Sequence, residues 1–209
     1  MEIIPDGIEA PELYKLLTGI VVPRPIAWVS TLGPNGIVNL APFSCFTFVS
    51  AKPPMVGINV GLRDGQRKDT SLNIAAHKEF VVNIGDETMI EAIHKSAIDY
   101  PPDVSEVELL GFSVKPSHRI KTPYLAEAPI SLECRFVRSI EFGETGAEFI
   151  VGEVVVFHVR DGLCEANKID TKRLRPICRI GGPNYAMLGE IVSMSHVGEV
   201  RTGPGRARV

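Results

Sequence analysis

Pro23-Arg24-Pro25-Ile26-Ala27-Trp28-Val29-Ser30-Thr31 is followed, after Gly33-Pro34-Asn35-Gly36, by Asn39-Leu40-Ala41-Pro42-Phe43-Ser44. Two β-prone apolar runs are thus separated by an Asn-Gly step, a strong short-range hairpin signal because both residue types tolerate positive φ. Each run ends in small hydroxyl or amide residues, so the hairpin gathers Ser30, Thr31, Asn39 and Ser44 near one end of a sheet. Donors of this kind, with no carboxylate between them, suit an anionic or polar ligand such as a phosphate. Taken alone, Ser30 and Thr31 also fit strand-end residues that satisfy turn backbone.

A second constellation is Arg67-Lys68-Asp69-Thr70-Ser71-Leu72-Asn73. Arg67 and Lys68 precede the expected start of a helix, whose free N–H groups and dipole also favour an anion. Thr70 and Ser71 add hydroxyl donors. The competing reading is a charged loop in which Asp69 or Thr70 caps the helix. Arg24, held between two prolines, suits an acidic side chain as well as a ligand. The five histidines (His77, His94, His118, His158, His196) are scattered and suggest no triad. Cys45 lies beside the candidate site, where an inert buried thiol competes with a reactive one.

Further along, β-prone stretches cover 55–60, 80–84, 130–140, 147–159 and a short piece near Leu163, beside 26–31 and 37–40 of the first hairpin. Residues 130–140 and 147–159 flank Phe142-Gly143-Glu144-Thr145-Gly146 and make a long antiparallel hairpin. Helical patterns are fewer, at 10–17, 69–77, 87–96 and 186–190. Prolines at 101, 102, 116 and 123 break the middle into extended connections. One domain, 1–209, mostly antiparallel β with helices on its edges, is the economical reading, with a core at about 14–190 and a frayed tail at 197–209.

The chain has 209 residues, 44% of them hydrophobic and 22% charged, with a net charge of −3, so neither disorder nor a nucleic-acid footprint is expected. The four cysteines are widely spaced, without the Cys/His spacing of a zinc site. No apolar run approaches the roughly 20 residues needed to span a bilayer, and the opening lacks a signal-peptide pattern. A reducing cytoplasm with unpaired, buried thiols is the expected setting. Standard hydrolase, Walker and Rossmann motifs are missing, and Gly181-Gly182-Pro183 lacks dinucleotide-fingerprint spacing.

Five segments in order resemble the flavin reductase-like, FMN-binding split-barrel family. They are Arg24 to Thr31, Asn39 to Ser44, Lys68-Asp69-Thr70 with Asn73-Ile74, Glu79 to Ile84, and Arg179-Ile180-Gly181-Gly182-Pro183-Asn184-Tyr185. The resemblance implies a six-stranded antiparallel Greek-key barrel with flanking helices, forming a homodimer with FMN near the subunit interface. It places Ser30 and Thr31 against the isoalloxazine or ribityl region. Asn39 and the backbone of Ala41, Pro42, Phe43 and Ser44 follow the ring edge and ribityl chain. Ser44, Lys68 and Thr70 become phosphate neighbours, supported by Asp69 and Asn73, while Arg24 and Tyr185 approach the flavin or a dinucleotide.

The same resemblance implies that FMN carries the chemistry, with no catalytic side chain and no metal. NADH or NADPH would be the hydride donor, and a second flavin, a monooxygenase or another redox partner the acceptor. A flavoredoxin-type electron carrier and a flavin-binding protein without turnover are the alternatives. The Arg-Pro-Ile-Ala form and the long 99–123 insert favour the enzyme. A pyridoxine-phosphate oxidase lacks its signatures here.

Overall fold

The computed structural model describes residues 1–194, so the tail expected at 197–209 and His196 lie outside the described residues. Helix α1 (Ala10–Ile20) leads into β1 (Arg24–Pro25), β2 (Ala27–Leu32), β3 (Val38–Phe43), β4 (Phe46–Ala51) and β5 (Pro54–Val60). Next come α2 (Asp69–His77), β6 (Glu79–Ile84), a 3₁₀ turn at Glu87–Met89, α3 (Ile90–Lys95) and α4 (Glu106–Leu109). The small strands β7 (Val114–Lys115) and β8 (Tyr124–Leu125) precede the long pair β9 (Ile130–Phe142) and β10 (Ala147–Val159). The last elements are β11 (Cys164–Glu165), β12 (Lys168–Ile169), α5 (Thr171–Leu174), β13 (Ile177–Arg179) and β14 (Tyr185–Met187).

The main sheet has seven antiparallel strands in the order β3-β2-β6-β9-β10-β5-β4. It curls far enough that Phe43 of β3 joins Val56 and Ile58 of β5 in one core, with Ala27, Val29, Phe80, Val82, Cys134 and Ile150. β3 and β4 remain unpaired with each other, so the barrel is open. The six-stranded expectation is therefore corrected to seven strands and no closure, because β4 adds an edge. Along β9 and β10 the register slips twice, at Val151/Gly152 and at Val154/Val156, and such bulges bend a long hairpin around a core. Gly152 stands there because a Cβ would lie 2.5 Å from Cζ of the buried Phe80 ring.

A second apolar layer lies on the outer side of β2. Trp28, Leu40, Ile93, Val107 and Leu125 pack together there, with Phe112 edge-on to Trp28 at 5.2 Å between ring centroids. The Trp28 indole N–H donates to Ser96 Oγ at 2.8 Å, so its polar atom is satisfied as its ring is buried. β2 is accordingly buried on both faces.

Several expectations need correction. Residues 186–190 do not form a helix. Ala186 and Met187 belong to β14, which pairs with β13 in a three-stranded sheet with β1. The turn through Gly182 (φ +62°), with Asn184 Nδ2 donating to the Gly181 carbonyl at 2.9 Å, folds the chain back and overrides helical propensity. The 99–123 insert is not wholly extended, since it holds the short helix α4. The thiols are unpaired, as expected, yet only Cys134 is buried, while Cys45 and Cys164 are exposed.

Candidate functional site

Strand β3 is the edge that carries the site, and its backbone is largely silenced as a template for further strands. Ser105 Oγ donates to the Val38 carbonyl at 2.7 Å, the Leu40 N–H donates to Glu106 Oε2 at 2.9 Å, and Pro42 has no N–H. Above this edge lie two clefts that share Pro42 and Ala97 as a common wall.

The smaller cleft, about 70 Å³, lies between β3 and the start of α2. Lys68 takes an extended backbone ahead of α2, and no side chain caps the helix. Its first N–H groups therefore favour an anion. Asn39 Nδ2 donates to Thr70 Oγ1 at 3.2 Å, leaving the Thr70 hydroxyl its own proton to give. Among the described residues Lys68 has no carboxylate within 4.0 Å. Arg67, which the sequence places beside it, turns away and grips Glu148 at 2.8 and 3.0 Å. Burial works to raise the Glu148 carboxyl, but hydrogen bonds from Ser71 and Arg67 and the guanidinium charge outweigh it and hold the carboxyl below its ordinary range.

The far wall of this cleft is mixed in charge. Arg63 pairs with Asp99 at 2.8 Å. Glu106, only 6% exposed, has its pKa pushed up, mainly by burial and further by Asp69; the Leu40 N–H and Arg63 offset this only in part.

The larger cleft, about 230 Å³, is lined by Arg24, Ser44, Arg179 and Tyr185, with Ile26 and Ile93 behind them. Arg24 donates to the carbonyls of Thr18 (2.6 Å), Val21 (2.7 Å) and Ile180 (3.1 Å), and to Ser44 Oγ at 3.4 Å. It thereby ties α1 and the turn after β13 to the edge of β3. Arg179 lies over the Tyr185 ring at 4.6 Å and donates to its hydroxyl at 2.7 Å. That hydroxyl is 3.2 Å from His94 Nδ1, to which its proton points when the ring nitrogen is the acceptor.

Ten of the thirteen residues expected at the site line these clefts: Arg24, Ser44 and Tyr185 in the larger, Pro42 in both, and Asn39, Ala41, Phe43, Lys68, Asp69 and Thr70 in the smaller. Ser30, Thr31 and Asn73 do not. Ser30 and Thr31 have no exposed surface: Ser30 shares the Trp28 face, which the second apolar layer covers, while Thr31 shares the Ala27 and Val29 face and lies against α2. Ser30 Oγ donates to the Pro123 carbonyl at 2.9 Å, and Thr31 Oγ1 accepts from Asn73 Nδ2 at 3.1 Å. These three brace the site from behind, which corrects the expectation that the two hydroxyls touch a ligand. Arg63, Glu106 and Arg179 were missed. Arg179 sat within a segment of the resemblance, whereas nothing local marks Arg63 or Glu106.

A curled, open antiparallel sheet with a few flanking helices is a split-barrel arrangement. Residues 19–173 match the flavin reductase like domain, and the chain belongs to that family. It is 43% identical over 199 residues to an uncharacterised protein of Halalkalibacterium halodurans, covering 93% of this chain and 95% of the relative. The structure of nitrilotriacetate monooxygenase component B from Bacillus cereus superposes with a TM-score of 0.90 at 39% identity, over 93% of this chain and 98% of that one. That of the Pseudomonas fluorescens 2-nitrobenzoate 2-nitroreductase gives 0.87 at 33% identity, over 98% and 100%. No helix among the described residues is long and apolar enough to cross a membrane.

Proposed function

We propose that this chain is an FMN-binding oxidoreductase that takes hydride from NADH or NADPH and passes electrons to free flavin or to a downstream acceptor. The observation that carries the reading is the uncapped start of α2 with the ion-pair-free Lys68, facing Asn39 and Thr70 across the β3 edge. That donor set fits a phosphate monoester. Bound flavin supplies the hydride and electron chemistry. The protein's part is to hold and orient. Lys68, Thr70 and the first N–H groups of α2 bind the phosphate, and Asn39 aligns the Thr70 hydroxyl. Arg24 fixes the position of Ser44.

Two features support a homodimer with the ligand near its interface. Neither cleft is large enough to enclose a flavin, and β4 presents Phe48 (79% exposed) and Val49 (45%) outward. The resemblance to a monooxygenase component also supports a flavin-accepting monooxygenase as partner. The test is an absorbance spectrum of purified protein loaded with FMN, followed by anaerobic addition of NADH and then NADPH. Rapid bleaching supports the reductase and names its donor. A spectrum that changes only with dithionite favours an electron carrier, and failure to take up FMN refutes the reading.

A further inference from the structure

The larger cleft carries two guanidinium groups and no acid to neutralise them. Among the described residues neither Arg24 nor Arg179 has a carboxylate within 4.0 Å, and no Asp or Glu lines the cleft. Arg24 is 6% exposed, and its partners are carbonyl and hydroxyl oxygens, which satisfy its hydrogens but leave a full positive charge in a poorly solvated place. Arg179 spends its Nε on the Gly182 carbonyl and one terminal nitrogen on Tyr185, so its other terminal nitrogen has no hydrogen bond among the described residues. Stacking on Tyr185 holds that free end in place. Ile26, Ile93 and Pro42 give the cleft an apolar wall.

From this arrangement we infer that the cleft is a binding site for a small organic carboxylate, the anionic end seated on Arg179 in the field of Arg24 and the apolar body against Ile26 and Ile93. A planar, pre-oriented guanidinium matches a carboxylate, and an anion here relieves the uncompensated buried charge. The site adjoins the Asn39–Lys68 cleft through Pro42 and Ala97. If FMN anchors its phosphate in that cleft as proposed above, the carboxylate site lies beside the bound cofactor. The binding itself does not depend on that reading.

Calorimetric titration with benzoate, on both the flavin-free and the FMN-loaded protein, tests it. Benzoate is expected to bind both forms. Benzamide, isosteric and uncharged, should bind at least about tenfold more weakly, since a charge-assisted hydrogen bond contributes about 1.5–3 kcal/mol and 1.4 kcal/mol is tenfold. Arg179→Gln should lose a similar factor, and Arg179→Lys, which keeps the charge, should recover part of it whether or not the Tyr185 contact survives. FMN affinity, read separately from quenching of flavin fluorescence, is expected to be the same for Arg179→Gln as for the parent. No benzoate heat at millimolar concentration in either form, equal binding of benzamide, or an unaffected Arg179→Gln overturns the inference. So does displacement of benzoate by FMN, or ADP-ribose binding with the same Arg179 dependence where benzoate fails. Benzoate binding in a protein that takes up no FMN would instead leave this site standing and sink the flavin reading.

Discussion

Glu133 offers the sharpest test of how the scaffold is held. Its side chain, on β9, is fully buried yet ionisable, and its carboxylate accepts from the His118 N–H at 2.6 Å, the Arg119 N–H at 2.7 Å and His158 Nε2 at 2.6 Å. Burial tends to raise its pKa, but these bonds prevail and hold the carboxyl below its ordinary value of 4.5. In Glu133→Gln one carboxamide oxygen replaces two carboxylate oxygens, and the new NH2 faces a backbone N–H that has no water to turn to. Two charge-assisted bonds at about 1.5–3 kcal/mol each are weakened or lost, which amounts to roughly 3–6 kcal/mol. For a chain of this size that lowers Tm by roughly 6–24 °C. Because the folded-state pKa is depressed, the parent's advantage is complete above pH 4.5 and fades as pH falls through the folded-state value. Melting curves at pH 7 and at pH 3.5 should therefore show a wide gap between parent and variant that narrows in acid. Amide exchange at His118 and Arg119 should quicken selectively in the variant. A Glu133→Gln protein melting within about 2 °C of the parent at pH 7, or a gap undiminished in acid, would refute the reasoning.

Other perturbations follow the same logic. Lys68→Ala should weaken FMN binding by about ten- to a hundredfold, the loss of one charge-assisted contact, with Tm unchanged; wild-type affinity at moderate salt would remove Lys68 from the site. Glu106→Gln should stabilise the fold at pH 7. The buried carboxyl has a raised pKa, so its ionised form costs stability above the ordinary value, while Gln keeps an acceptor for the Leu40 N–H; the gain should vanish in melts near pH 4. Gly152→Ala should cost about 1–3 kcal/mol in urea denaturation, since its Cβ would press on the Phe80 ring, and Phe80→Leu in the same chain should restore part of the loss.

How far the fold could be read from the chain depended on whether the deciding contact was local. The first hairpin declared itself through Asn35-Gly36, and α2 came out over Asp69–His77 as its pattern predicts. β4 gives no local signal, because Phe46-Thr47-Phe48-Val49 has no turn marker before it, and Phe48 and Val49 face outward rather than into a core. Ser30 and Thr31 look like ligand donors only while the faces of β2 are taken to be free. The layer that covers Ser30 comes from residues far downstream, including Ile93, Val107 and Leu125, and Thr31, on the other face, is taken up by Asn73 of α2. Arg24 reaches a carbonyl 156 positions away, so no spacing rule could have paired it with the Arg179 region.

The insert between α3 and β9 decides more of the site than its broken sequence suggests. Val107 and Leu125 cover Trp28, Ser105 and Glu106 occupy the exposed backbone of β3, and Ala97, ahead of them, makes the wall common to both clefts. An edge strand that might have recruited another strand is thereby left able to meet only a ligand. The two ends of that edge differ electrically. Toward α2, Lys68 and Arg63 face Asp69, Asp99 and Glu106, whereas toward β13 the two guanidiniums have no acid beside them among the described residues. A ligand lying along β3 therefore meets nearly balanced charge at one end and uncompensated cation at the other. Long-range field alone draws anions to the Arg24–Arg179 end, so binding near Lys68 must rest on directed hydrogen bonds from Thr70 and the start of α2. Raising salt should accordingly weaken carboxylate binding at Arg179 more steeply than phosphate binding at Lys68.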